Sequence, residues 1–445
     1  MTSIPQIAES LQHILEEEAV TLAKETGFIQ RERTLTGADF AQALILGWLQ
    51  RPDERVDGFA QILERREVSI SGSGLCQRFT PQAATFMQRL LERFAQVQMH
   101  VEAVEVPLLR RFTAVIVEDS SVVMLPSELA EVWRGCGGSE GTSAAAVKLF
   151  VRWNVLAGQL EGPRLTDGRH NDNHSPFNED ELPVGGLYLA DLGFFDQQRL
   201  RGLAKPSKGG KRFFVMRLQH GTGLYTRSGH QIELRGILPQ QEGEAKEMGV
   251  LLGKQARLPV RLFMQRVPEE VAQQRREHIR EVAAAHGRHP SEEVLYLAGW
   301  TLVVSNVPRR RLSLPEALVL LRLRWQIERL FRLWKEHGQI DEWRSKKPWR
   351  ILTELYAKLC AMLIQQWLIH EGCWQDPWRS LVKAASVVRR EANRIMVALF
   401  EGGLERVLHS MVRCMRSGCR IERRATHPST VQLLLEGLDW SLTLT

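Results

Sequence analysis

Apolar residues recur every three to four positions through the first 110 residues (IAESLQHILEEEAVTLA, DFAQALILGWL, GFAQILERR, PQAATFMQRLLERFAQV), with almost no β-branched runs. That spacing gathers the apolar side chains on one stripe of each helix and predicts an all-helical N-terminal region. Within it, VDGFAQILERR, then SISGSG, then LCQRF outlines two helices about a glycine-containing turn. This is the outline of a helix-turn-helix, and equally of an ordinary packing hairpin.

At residue 112 the period changes. FTAVIVEDSSVVMLP holds two β-branched runs around a short polar stretch and predicts a hairpin in which Asp119 closes the first strand. A strand (AAVKLFVRWNVL), a polar loop (EGPRLTDGRHNDNHSPFNEDE), a strand ending at Asp191 (GGLYLADLGFF), a helix (DQQRLRGLA) and a strand (KRFFVMRLQ) follow. Strands alternating with helices predict an α/β (mixed α+β) domain. From about 222 to 306 the strands are short and broken by Gly and Pro (HQIELRGIL, EMGVLLG, LPVRLFMQRV, LAGWTLVVSNV), with one helix, PEEVAQQRREHIREVAAAHG, among them: a β-rich insertion. A helix over 314–337 comes next, opened by the capping box Ser313/Glu316 with Pro315 in its first turn and closed by Gly338. Residues 346–445 read as helical again.

The composition limits the classes. With 44% hydrophobic and 25% charged residues among 445, the chain is neither disordered, collagenous nor coiled coil. No apolar stretch nears the roughly 18 residues of a membrane span, and MTSIPQIAES lacks the basic and apolar regions of a signal peptide, so a cytoplasmic protein without a membrane partner is expected. Six cysteines without a CxxC pair read as reduced thiols. The net charge of +7 suggests a polyanionic partner. Residues 1–110 carry −4, 111–343 carry +4 and 344–445 carry +7, so the surplus is C-terminal. Local basic clusters, of the kind that track phosphates, occur at Arg199, Arg201, Lys205, Lys208, Lys211 and Arg212, and at Arg309, Arg310 and Arg311.

Asp119 and Asp191 each follow an apolar run at the carboxyl end of an expected strand, where α/β sheets place chemistry. A turn or helix cap would place an aspartate there too. On the 314–337 helix, Arg324, Glu328 and Lys335 are 4 and then 7 residues apart and fall within roughly 40° of one another, on one face. A solvated face with internal ion pairs has the same periodicity. His170, Asp172 and His174 alternate as metal ligands can, but a segment poor in apolar anchors reads as a solvated loop.

The run LRLRWQIERLFRLWK resembles the signature of bacterial cut-and-paste DDE transposases of the insertion-sequence-four group, Tyr-x2-Arg-x3-Glu-x6-Lys. Arg324, Glu328 and Lys335 match it in identity and spacing, while the tyrosine position is occupied by Leu321. VIVEDSSVVMLP and GGLYLADLGFF resemble the family's first and second aspartate strands, so the resemblance covers roughly residues 112–365. It implies an RNase H-like catalytic core in two parts, 111–221 and 307–370, the second carrying the glutamate helix, separated by the insertion 222–306. Around it stand an N-terminal helical domain, 1–110, a candidate for DNA binding, and a basic helical region, 371–445, for DNA binding or dimerisation.

The same resemblance implies the chemistry. Asp119, Asp191 and Glu328 would be the catalytic carboxylates holding two Mg2+ ions, for which Mn2+ substitutes, because hard cations prefer oxygen ligands and a pair of them can clamp the attacking and leaving oxygens of a phosphodiester. Arg324 and Lys335 would contact phosphates. Trp300 resembles a residue that stacks on a flipped base during hairpin formation at the transposon end, a step that the leucine at 321 leaves open. Arg217, Lys211 and Arg212 are further candidates for DNA contact. The implied partners are double-stranded DNA, as terminal inverted repeats and target, and a second copy of the chain in a synaptic dimer associated with the nucleoid. The alternatives are a catalytically inactive DNA-binding relative and an RNase H-like nuclease that cuts without joining.

Overall fold

A computed structural model describes residues 4–31, 34–99, 102–137, 143–206, 209–285, 287–426 and 428–436. Nine strands, β1 (Val115–Leu125), β2 (Ala145–Asn154), β3 (Leu160–Asp167), β4 (Leu187–Ala190), β5 (Phe213–Arg217), β6 (Leu224–Tyr225), β7 (Ala245–Leu252), β8 (Leu258–Arg266) and β9 (Trp300–Ser305), form one mixed sheet in the order β3-β2-β1-β4-β5-β9-β8-β7-β6. Strands β1, β4 and β5 are parallel, and the neighbours on either side of that trio are antiparallel wherever their register is defined. The protein is mixed α/β, as its alternating periods predict.

The chain divides into two compact units. One comprises residues 1–105, 120–170 and 327–422, the other 106–119, 171–326 and 423–445. In the first, the helix Pro348–Cys373 is buried along nearly its whole length and packs against the helices Gly37–Gln50, Pro81–Gln96 and Leu404–Gly418. A helix so enclosed cannot show a narrow apolar stripe, and its sequence does not. The second unit is built on the parallel strands and on β6 to β9, which extend the same sheet from β5 through β9. The β-rich segment is therefore a continuation of the sheet.

Four local expectations are corrected. FTAVIVEDSSVVMLP is a single eleven-residue strand, with Asp119 inside it. Asp-Ser-Ser has turn composition, but without a glycine at a left-handed position it runs on extended when both neighbours are paired. The polar segment from 161 contains a strand, β3, whose Gly162–Pro163 step is tolerated at a sheet edge, where a missing N–H breaks no ladder. The expected strand HQIELRGIL instead holds the short helix Leu234–Ile237. The 314–337 helix is Leu314–Leu323, then Trp325–Arg332, then a π-helical turn, Leu333–His337, with the break at Arg324. Its cap is as predicted: Ser313 and Glu316 exchange both capping-box hydrogen bonds. In the helix-turn-helix outline the second helix, Gly72–Cys76, has only five residues, shorter than a helix able to lie along a DNA groove.

Candidate active site

The ladder between β1 and β4 pairs Val115 with Leu187, Ile116 with Tyr188, Val117 with Leu189 and Glu118 with Ala190. Carried one step past its last rung, the same register would bring Asp119 level with Asp191, which directly follows β4. Asp191 keeps an extended backbone (φ −81°, ψ 172°), so the strand's side-chain alternation holds up to it. Leu189 pairs with Val215 on β5, and two positions on Asp191 falls beside Arg217. By that alternation Asp119, inside β1, Asp191, just past the end of β4, and Arg217, at the end of β5, fall on one face of the three parallel strands, while Glu118 and Tyr188 fall on the other.

Arg324, at the helix break, brings Nη2 to 3.8 Å from Asp191 Oδ1. The helix dihedrals persist there (φ −50°, ψ −35°), so the chain direction is kept while the hydrogen-bond ladder is interrupted. Partial loss of hydration lowers the Arg217 pKa from its ordinary value. Asp191 opposes that shift and the like charge of Arg324 adds to it. Arg275, on the helix Glu269–Ala285, is brought down to about 10 by desolvation and by Arg217. These arginines remain charged at neutral pH, and two of them, Arg217 and Arg324, bring positive charge to Asp191.

Arg217 and Arg275 also line a cavity of about 310 Å3 next to Leu192, with His220, His278 and Trp300 in its wall and no carboxylate among its lining residues. Trp300 is 7% exposed, donates from Nε1 to Pro239 O at 2.8 Å, and lies under the Arg266 guanidinium at 4.5 Å. The indole is thus held in the wall, with limited surface open to the cavity. Arg275, which donates to Trp300 O and Thr301 Oγ1, was not among the expected site residues. Only its position on a helix facing β9 brings it here.

In the first unit, Glu328 and Lys335 are both half-buried. Lys335 Nζ donates to Val122 O at 3.0 Å, on β1. One expected contact with DNA is corrected. Arg212 is buried and spends its donors on Leu182 O and Asp180 O. Arg199, a member of the same basic run, is buried against Glu118. Lys211 is exposed, and Lys208 lies outside the described residues. The His170–His174 segment is a loop with one 3-10 turn.

Among the described residues, no group of three or more His, Cys, Asp or Glu side chains is gathered tightly enough to hold a metal ion. The donor chemistry of the two aspartates nevertheless suits a hard cation. Asp119 and Asp191 offer carboxylate oxygens, one half-buried and the other with half its side chain in solvent. Among the described residues no helix is long and apolar enough to cross a membrane.

The chain belongs to the family described as "Transposase DDE domain", which matches residues 110–364. It is a DDE transposase of the bacterial insertion-sequence kind, an enzyme that acts on DNA, in a family that works with divalent metal ions. It is similar to the transposase for insertion sequence element IS231B of Bacillus thuringiensis subsp. berliner, with 26% identity over 80% of this chain and 78% of that one. The transposase for IS231E of Bacillus thuringiensis subsp. finitimus is 24% identical over 88% and 90%, and that for IS1151 of Clostridium perfringens 24% over 78% and 77%. Likeness to the solved piggyBac transposase synaptic complex with hairpin DNA is loose, with a TM-score of 0.45 and 10% identity over 96% of this chain and 87% of that one.

Proposed function

We propose that the chain cuts DNA at the ends of its own insertion sequence and joins the freed ends to target DNA, with Asp119, Asp191 and Glu328 as the catalytic carboxylates on an RNase H-like core. What supports this reading most is the parallel β1–β4 register, which carried one residue further would bring Asp119 level with Asp191, together with Arg324 reaching Asp191 from the signature helix. Two divalent cations, Mg2+ or Mn2+, held by the three carboxylates, would supply electrophilic activation of the scissile phosphodiester. A water oxygen attacks phosphorus, the bond to the 3′ oxygen breaks, and that oxygen leaves as a hydroxyl. In the joining step this 3′-hydroxyl attacks a target phosphodiester, forming one P–O bond as another breaks. No covalent protein intermediate is needed.

Arg324 and Arg217 then serve the phosphate. Each presents a planar fork of donors matched to two non-bridging oxygens, and both already stand beside Asp191. Lys335 contributes a point charge, and Lys211 an exposed backbone contact. Trp300 and the arginine-lined cavity suit a base drawn out of the helix with its phosphate turned toward Arg217. The basic C-terminal helices are candidates for DNA binding or dimerisation, and two copies would be required to hold two ends in synapsis. Such an enzyme works in the cytoplasm, on the nucleoid.

The test is incubation of the purified chain with Mg2+ or Mn2+ and a duplex ending in the element's terminal inverted repeat. Wild-type nicking at that end, abolished by Asp119→Ala, Asp191→Ala and Glu328→Ala, is expected. Nicking that survives any of the three removes that residue from the site. Binding without cutting supports a non-catalytic relative, and cutting without joining to a target plasmid supports a simple nuclease.

A further inference from the structure

Strand β1 presents two carboxylates in succession, Glu118 and Asp119, and nothing in its apolar pattern says which belongs to which face. Val115, Ile116, Val117 and Glu118 are all buried, so the usual alternation of apolar and polar positions is missing. A slip of one residue would exchange the two acids, and a register is weakly specified wherever both faces of a strand are alike. The parallel ladder to β4 also ends at Glu118 and Ala190, one residue short of both aspartates.

At that last rung stands Arg199. Its Nη2 donates to Glu118 Oε1 at 3.2 Å and Oε2 at 2.9 Å, and to Phe177 O at 3.2 Å, and the guanidinium lies 5.2 Å from the centre of the Tyr188 ring. Glu118 is fully buried and Arg199 is 7% exposed. Arg199 belongs to the helix Gln197–Ala204, which starts six residues after Asp191 and is capped by Asp196, whose Oδ1 accepts from the Arg199 amide at 2.7 Å. The same side chain therefore grips the strand of one aspartate from the segment that carries the other. A buried ion pair is a poor source of net stability, since well-packed apolar residues of similar volume do as well or better. What it supplies is a choice between geometries.

We propose that Arg199 is a positioning residue: by taking Glu118 on one face of the sheet it sorts the two consecutive carboxylates, leaving Asp119 on the other face and in step with Asp191. The proposal rests on the active-site reading above.

The test uses the double variant Glu118→Leu/Arg199→Leu, which removes both charges together and leaves no unpaired buried ion. The full chain is expected to fold, with a single cooperative unfolding transition. It should need about ten- to a hundredfold more Mg2+ or Mn2+ for half-maximal nicking of the inverted-repeat duplex, the range seen when residues supporting metal ligands are lost. The swapped pair Glu118→Arg/Arg199→Glu should recover part of that loss, because it restores the pairing across the same gap. A folded double-leucine variant with the wild-type metal requirement overturns the proposal. So does one that fails to fold, because the pair would then be holding the core together. Asp119→Ala is run alongside: nicking by that variant would sink the active-site reading itself, whatever the leucine pair does.

Discussion

Lys335 donates from Nζ to the main-chain carbonyl of Val122 at 3.0 Å, so the signature lysine ties its helix to strand β1 three residues beyond Asp119. A charged donor on a half-buried carbonyl contributes to stability, and the ammonium's other donors stay available to a phosphate. Lys335→Met is expected to lower the unfolding free energy by about 1–2 kcal/mol in a urea titration, with Lys335→Arg closer to wild type. An unchanged urea midpoint for the methionine variant would show that the bond to Val122 carries no weight.

Arg324 stands 3.8 Å from Asp191, at the one break in the signature helix. Removing a preorganised donor aimed at developing charge costs about 100-fold or more in rate. Arg324→Ala should therefore slow nicking by that order while duplex affinity, measured by gel shift without metal, changes only a few-fold. Arg324→Lys should recover only part, since an ammonium cannot span two oxygens. An alanine variant that nicks at the wild-type rate removes Arg324 from the site.

Trp300 is packed between Arg266 and Tyr296, so truncation to alanine is expected to cost about 3–5 kcal/mol of stability and to say little about DNA. Trp300→Phe is the sharper variant. It keeps an aromatic wall while losing ring area and the bond to Pro239. A base–indole stack worth about 1–3 kcal/mol predicts roughly tenfold slower release of the transposon end at an unchanged rate of first-strand nicking. Equal rates for both steps would confine Trp300 to a packing role.

Glu316 is subject to desolvation, which raises its pKa, but hydrogen bonds from Arg111 and from Ser313 outweigh it and hold the carboxyl below its ordinary value. A group whose pKa falls on folding stabilises the folded state above its unfolded value, near 4.5, and that contribution disappears as pH drops through the folded one. Glu316→Gln keeps the capping-box geometry but removes the charge facing Arg111, so it should cost about 0.5 kcal/mol at pH 7. It should also flatten the loss of stability as pH falls below about 4.5, followed by thermal melts. Parallel wild-type and variant curves would show that the capping box carries no charge-dependent stability.

Much of the candidate site can be read along the chain because its signals are local. An apolar run before an aspartate marks a strand, although at Asp119 not its end, and a capping box marks where the signature helix starts. The misread elements fail for equally definite reasons. Asp-Ser-Ser in β1 looks like a turn until both its neighbours are known to be in one strand, and Gly162–Pro163 in β3 looks like a break until β3 is known to be an edge. Arg199 and Arg212 look like surface charge because a run of basic residues carries no record of partners that lie 81 and 30 residues away.

The amino-acid sequence by itself determined which segments are helix and which are strand over most of the chain, where the carboxylates and basic residues fall, and that they follow the order of a DDE transposase. Only the tertiary structure decided that β1 and β4 pair in parallel with Glu118 level with Ala190, that Glu118 turns to Arg199, and that Arg217, Arg275 and Arg324 gather where Arg212 does not. The reason is physical. Helix and strand periods are set by near neighbours, whereas strand register and the desolvation of a charge are settled by partners that meet only when the chain has folded.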